Sequence, residues 1–346
     1  MTEDDPHCPE CGEPVGQSAS YCIHCSADLT GRRDPTGGGA VAGESPGAAD
    51  EAHEDTGDRQ LRNDSRDATN RRLQDDAHRD GSDEEAGQVT DQSRNRLWLV
   101  GACLGLTVGG IVLGVLLINV IGAALIISGV DVSSTDQLVL SLVGIQGIAF
   151  PGVSYAYFRY KGRSLHAFIP VSIPDLRETA VVFGSLIGAF VLVTVGLAVA
   201  LGVFGAEPAE NQGAQTAAQN PEFIPFLIPL VFLLNAPGEE LLFRGVIQGL
   251  FRERFGPAAA ILLATSMFAP IHIISLVGAG LQSALVTISI LSLPSIVFGA
   301  AYEYTDNFLV PTLVHALYNA TLFGLLFVSS LMSGEAGVVL DLVVVP

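Results

Sequence analysis

Seven stretches of about 20 or more mostly apolar residues constrain this chain more than any other feature, because a helix of that length spans the hydrocarbon core of a bilayer. In lipid the backbone must satisfy its own N–H and C=O groups, so the expected fold is an all-α polytopic bundle. The stretches fall at about 97–128, 137–158, 177–204, 223–250, 257–279, 281–302 and 309–332. The fourth is interrupted by Pro237-Gly238, where a bend is expected, and the sixth carries Pro294. Gly105, Gly109 and Gly110 form a small-residue face suited to close helix packing in lipid.

Charge is distributed to match. Of 36 acidic and 17 basic residues, 22 and 10 precede Leu97, which leaves 14 and 7 for the 250 residues that follow. The chain therefore reads as a polar N-terminal segment joined to a set of apolar spans. Arg94 and Arg96 precede the first span, Arg159, Lys161 and Arg163 follow the second, and Arg252 and Arg254 follow the fourth. Basic flanks stay in the cytoplasm, so one seven-span topology places the N-terminus inside. The acidic loops at Asp131/Asp136 and Glu207/Glu210 then fall outside. The expected location is the cell membrane, with the lipid bilayer as a partner. A net charge of −19 with one lysine, Lys161, argues against nucleic-acid binding, which needs clustered Lys and Arg. The same acidity suits a high-salt, halophilic cytoplasm.

The segment before the spans has two parts. Cys8-x2-Cys11 and Cys22-x2-Cys25 are spaced as a small four-thiolate zinc site over residues 1–30. Two disulfides are the alternative, but the polar, acidic start has no basic n-region or early apolar stretch, so a reducing compartment is expected. Four thiolates close the shell, which makes the zinc structural. The text CPECGEPVGQSASYCIHCSADL resembles the short zinc ribbons at the termini of many prokaryotic proteins. A protein partner or substrate of this ribbon, or a simple capping role, would each explain its presence. Residues 31–95 are Asp, Glu, Arg, Gly, Ser and Asn with few large apolar side chains, and they read as a disordered linker. Residues 96–210 hold the N-terminal spans, 221–333 a second membrane unit, and 334–346 a tail.

Ionisable groups at the centre of an apolar helix cost ~2.5–3.5 kcal/mol each on insertion scales. Three clusters carry that cost. In Asn235-Ala-Pro-Gly-Glu239-Glu240-Leu-Leu-Phe-Arg244, Glu240 and Arg244 share a helix face and can pair. Glu239 is rotated by about 100° and is left free to act as a base. A Glu-Glu at a helix start is the plainer explanation, with Pro237 in the first turn. It fits poorly after FLIPLVFLLNA. The second cluster is Phe268-x3-His272, where a satisfied core histidine is the bland reading. The third is His315-x3-Asn319, two hydrogen-bonding groups on one face, either able to donate to a developing oxyanion.

At these residues the chain resembles the CPBP family (CAAX protease and bacteriocin-processing, Abi-type), intramembrane glutamic endopeptidases whose motifs are EExxxR, FxxxH and HxxxN in that order. They stand here as Glu239-Glu240-Leu-Leu-Phe-Arg244, Phe268-Ala-Pro-Ile-His272 and His315-Ala-Leu-Tyr-Asn319, over roughly 223 to 332. Pro270 inside the second motif is a departure that would kink the helix and change the reach of His272. The resemblance implies an endopeptidase acting on membrane-embedded proteins or peptides. Glu239 would be the general base, His272 would help hold the attacking water, and His315 and Asn319 would form the oxyanion hole. Glu240 and Arg244 would brace the site. No catalytic cofactor is then expected, although Glu, His and His could instead bind zinc as in metalloproteases. Readings from other classes are a non-catalytic scaffold or immunity-type protein, and a transporter using Glu239 and the histidines as a proton relay.

Overall fold

The computed structural model describes residues 96–276 and 278–332, and among these every regular element is a helix. The four cysteines Cys8, Cys11, Cys22 and Cys25, the linker 31–95 and the tail 334–346 lie outside the described residues. Seven helices are long and apolar enough to cross a membrane. They are α1 (Arg96–Ile127), α2 (Ser134–Tyr160), α3 (Leu176–Gly202), α5 (Pro221–Arg252), α6 (Pro257–Leu276), α7 (Leu281–Thr305) and α8 (Leu309–Leu331). A shorter helix, α4 (Gln212–Gln219), sits in the loop between α3 and α5. The protein is a multi-pass membrane protein. Hydropathy marks the long spans; α4 is polar and alanine-rich, and only its Asn211 cap, which accepts from the Ala214 N–H, announces it.

Local sequence sets the ends. Ser133 with Asp136 and Asp175 with Glu178 form capping boxes at the starts of α2 and α3. Asp306, left-handed at φ 47°, terminates α7. Next to it, the Asn307 side chain bonds both the N–H and C=O of Ser172 and also Glu178, which ties the α7–α8 turn to the start of α3.

Helix α5 is the central post, touching α2, α6, α7 and α8, while α3 packs outside against α7 and α8. Apolar side chains gather in two clusters. One joins α3, α7, α8 and the start of α5 around Val193, Phe298, Val314 and Leu322. The other joins α1, α2, α6 and the end of α5 around Cys103, Phe150, Phe243 and Phe268. On the outside, α3 shows Phe183, Ile187, Val191, Val195 and Val199 at four-residue spacing. An exposed apolar stripe of that kind belongs in lipid.

Three expectations about helix detail meet the structure here. The glycine face of α1 used for packing is Gly110 and Gly114, where an added Cβ would meet Phe150 and Ile145 at 2.9 and 2.6 Å; Gly105 and Gly109 have open space. A period of four puts 110 and 114 on the side toward α2 and rotates 109 off it. Helix α5 runs through Pro237-Gly238 without ending; Ala236–Glu240 is a short α segment between wider π turns at Val231–Asn235 and Leu241–Gln248. Those π turns absorb the missing proline N–H. In α6, Pro270 opens a 3₁₀ segment, Ala269–Leu276, that carries His272.

Candidate active site

Glu239 and Glu240 are both buried, at 4% and 0% exposure, in the middle of α5. They face different surroundings, as expected, and His315 lies between them. Its Nδ1 is 2.9 Å from Glu240 Oε1, and its Nε2 is 3.8 Å from Glu239 Oε2. Glu240 also forms the expected ion pair with Arg244, Oε2 to Nε at 3.2 Å. That N–H is not aimed well enough to bond the oxygen, so Oε2 has charge but no hydrogen-bond donor. Arg244 instead donates through Nη2 to the carbonyl and hydroxyl of Ser295, at 3.2 and 3.1 Å. Its guanidinium lies 4.7 Å from the centre of the Phe268 ring and 5.7 Å from that of Phe298. Aromatic faces are good neighbours for a desolvated guanidinium.

Glu239 has partners of its own. Its Oε1 accepts from Gln146 Nε2 and from Asn235 Nδ2, both at 3.1 Å. Asn235 in turn accepts from Asn319 Nδ2 at 2.8 Å. Asn319 thus holds Asn235 with one amide N–H and keeps the second. The Gln146 contact depends on Gly238, since a Cβ there would overlap the Gln146 carbonyl oxygen. Only a glycine lets α2 and α5 approach so closely, and the approach sets Gln146 beside the next residue, Glu239.

His315 stacks on Phe298 with ring centres 4.9 Å apart and planes 21° off parallel. Phe268 meets His272 edge-on at 5.0 Å and His315 at 6.1 Å. The phenylalanine of the second motif is therefore the common wall of both histidines and of Arg244. His272 Nδ1 is 3.4 Å from the Phe268 carbonyl, which favours the proton on Nδ1 and leaves Nε2 free. Glu239, His272, His315 and Asn319 all line one cavity of about 1020 Å³. Glu240 and Arg244 are not among its lining residues and lie behind it. Among the described residues no three His, Cys, Asp or Glu side chains are grouped so as to hold a metal ion.

Residues 221–321 match the family model described as Rce1-like, type II CAAX prenyl endopeptidase. The chain carries an Rce1-like CAAX protease domain. That domain takes in all three motifs, in less than a third of the chain, and makes the protein a membrane-embedded protease. No curated protein and no solved structure matches the chain. The Rce1-like domain does not contain the whole site: Gln146 stands on α2, outside the matched residues, yet donates to Glu239.

Sequence reasoning passed over Gln146, Ser295 and Phe298, and quoted Asn235 without a role. Gln146 is the one amide in LVGIQGIAF, and it sits in a π turn at Leu142–Ala149. Asn235 is four residues before Glu239, the spacing of neighbours on a helix. Both signals are legible afterwards. Ser295 and Phe298 carry none, because serine and phenylalanine are ordinary in an apolar span.

Proposed function

We propose that the chain hydrolyses peptide bonds of membrane-associated proteins or peptides within the bilayer, with Glu239 as general base. One observation carries this reading: a buried carboxylate faces the cavity with one oxygen fixed by two amide donors and the other turned toward His315. Two carboxylates and one guanidinium leave one excess negative charge, and an unbalanced buried charge is costly. One more proton balances it. That proton has two places to sit, His315 Nε2 and Glu239 Oε2, 3.8 Å apart.

The chemistry follows from that single mobile proton. With it on His315, Glu239 is anionic and takes a proton from a water whose oxygen attacks the peptide carbonyl carbon. The developing oxyanion meets the imidazolium Nε2–H and the spare N–H of Asn319. As the C–N bond breaks, Glu239 returns its proton to the departing amine. His272, across the cavity with a free Nε2, holds the water. Glu240 and Arg244 do not touch substrate; they position His315 and keep the local charge balanced.

The metal-free mechanism rests on the proton for which His315 Nε2 and Glu239 Oε2, 3.8 Å apart, are the two seats. Glu240 serves Arg244 and His315 Nδ1, and Glu239 Oε1 serves two amides. The test is cleavage of bilayer-anchored peptides by the purified full chain and by Glu239→Gln. Loss of a general base should slow cleavage by ~10²–10⁴-fold. Equal rates would sink the reading and leave the polar centre as a partner-binding feature.

A further inference from the structure

Three polar contacts tie α5 to α7 with one constant offset. Arg244 meets Ser295, Gln248 meets Gly299 and Arg252 meets Glu303, each pair 51 residues apart. Each rung lies four residues beyond the last, the spacing of one helix face. One span separates the two helices in sequence, so they run the same way, and the rungs hold them in a single register. The first two rungs grip the backbone of α7. Arg244 Nη2 donates to the Ser295 carbonyl at 3.2 Å, and Gln248 Nε2 to the Gly299 carbonyl at 3.0 Å. A carbonyl has a second lone pair beside the one its own helix uses, and it cannot rotate away as a side chain can. The outermost rung, Arg252 Nε to Glu303 Oε1 at 2.7 Å, stands partly in solvent.

Gln248 is the middle rung and belongs to none of the three motifs. It is buried and is not among the residues that line the cavity. Its Oε1 has no donor, and a buried acceptor left bare is costly. A methionine of similar length would avoid that cost, so packing alone does not call for an amide here. Gly299 admits it: an added Cβ would stand 2.9 Å from Gln248 Oε1 and 3.1 Å from Ile261. Between the rungs α7 carries Phe298, the ring on which His315 stacks. Helix α7 thus orients the imidazole, and α5 brings Glu240 and Glu239 to its two nitrogens, at 2.9 and 3.8 Å.

We infer that Gln248 is a positioning residue for the hydrolysis: by fixing the register of α5 against α7 it sets both carboxylates at their distances from His315. This rests on the protease reading with Glu239 as base. Gln248 touches no substrate and acts through Glu239 and Glu240. A slide of about 1 Å between the helices opens hydrogen bonds near 3 Å, and a misplacement of that size costs on the order of a hundred-fold in rate. With Arg244 still on Ser295, loss of the middle rung alone costs less.

The test uses purified full chains in vesicles and the same bilayer-anchored peptides that test Glu239, with rates taken per folded molecule from thermal unfolding of the same sample. Gln248→Met should lower kcat about ten-fold with KM within about two-fold, because the cavity keeps its lining. An unchanged kcat, or a raised KM with kcat intact, overturns the inference. If Gln248→Met does not fold, the exposed rung decides. Glu303→Arg sets like charges against each other and should lower kcat about three-fold; adding Arg252→Glu should recover it. No loss, or no recovery, overturns the inference there. Equal cutting by Glu239→Gln and wild type defeats the protease reading and the inference with it. Slow cutting by Glu239→Gln beside a full kcat in Gln248→Met defeats the inference alone.

Discussion

Gly238 shows how one hydrogen atom in place of a side chain builds a site. Its contact with the Gln146 carbonyl is backbone against backbone, so no rotamer change relieves an added methyl group. Gly238→Ala should push α2 from α5, cost about 1–3 kcal/mol as overpacking does, and break the Gln146–Glu239 bond. Thermal unfolding in detergent and peptide cleavage measured on the same sample should both fall; unchanged cleavage would mean that Gln146 does not aim Glu239. Arg244 makes the opposite case, since its value lies in charge. Replacing it with Leu leaves Glu240 buried beside a shared histidine, a loss of about 3–5 kcal/mol for breaking a buried pair. The double change Glu240→Leu with Arg244→Leu should recover much of the stability and none of the activity. Recovery of activity would remove Glu240 from any positioning role.

At the scale of elements, the site is assembled where helices leave regular geometry. Gln146 lies in one π turn, Asn235 and Arg244 in two others, and His272 in a 3₁₀ segment. Spans were legible because hydropathy over about 20 residues is a strong signal. Turn-by-turn winding was not, since it answers to packing between helices that a single sequence does not display. Pro270 is the exception, flagged in sequence and found at the switch from α to 3₁₀. Over the four residues from Phe268 to His272, 3₁₀ winding turns the side chain about 80° further than α winding. Pro270→Ala should favour continued α winding, swing His272 away from the cavity and lower kcat with little change in KM. A wild-type kcat would show that packing against Phe268 alone holds His272.

For the whole molecule, the three motifs on α5, α6 and α8 were readable in order, and their meeting around one cavity accounts for the cost of each. What sequence could not supply was the fourth wall. Gln146 comes from α2, and Phe298 and Ser295 from α7, with nothing in their type to set them apart. The cysteine-rich end belongs to this scale as well. We propose that Cys8, Cys11, Cys22 and Cys25 hold one structural zinc apart from the chemistry. A chelator should strip metal from the full chain, and cleavage by a chain lacking residues 1–95 should be indifferent to it. Inhibition of that shorter chain by the chelator would reinstate a catalytic metal.

The most direct test of the central claim compares the termini of membrane proteins in cells making wild-type chain with those in cells making Glu239→Gln at equal expression. The account predicts a defined set of new termini that form with the Glu239 carboxylate in place and are absent when an amide replaces it. Coincident profiles across several growth conditions would contradict it.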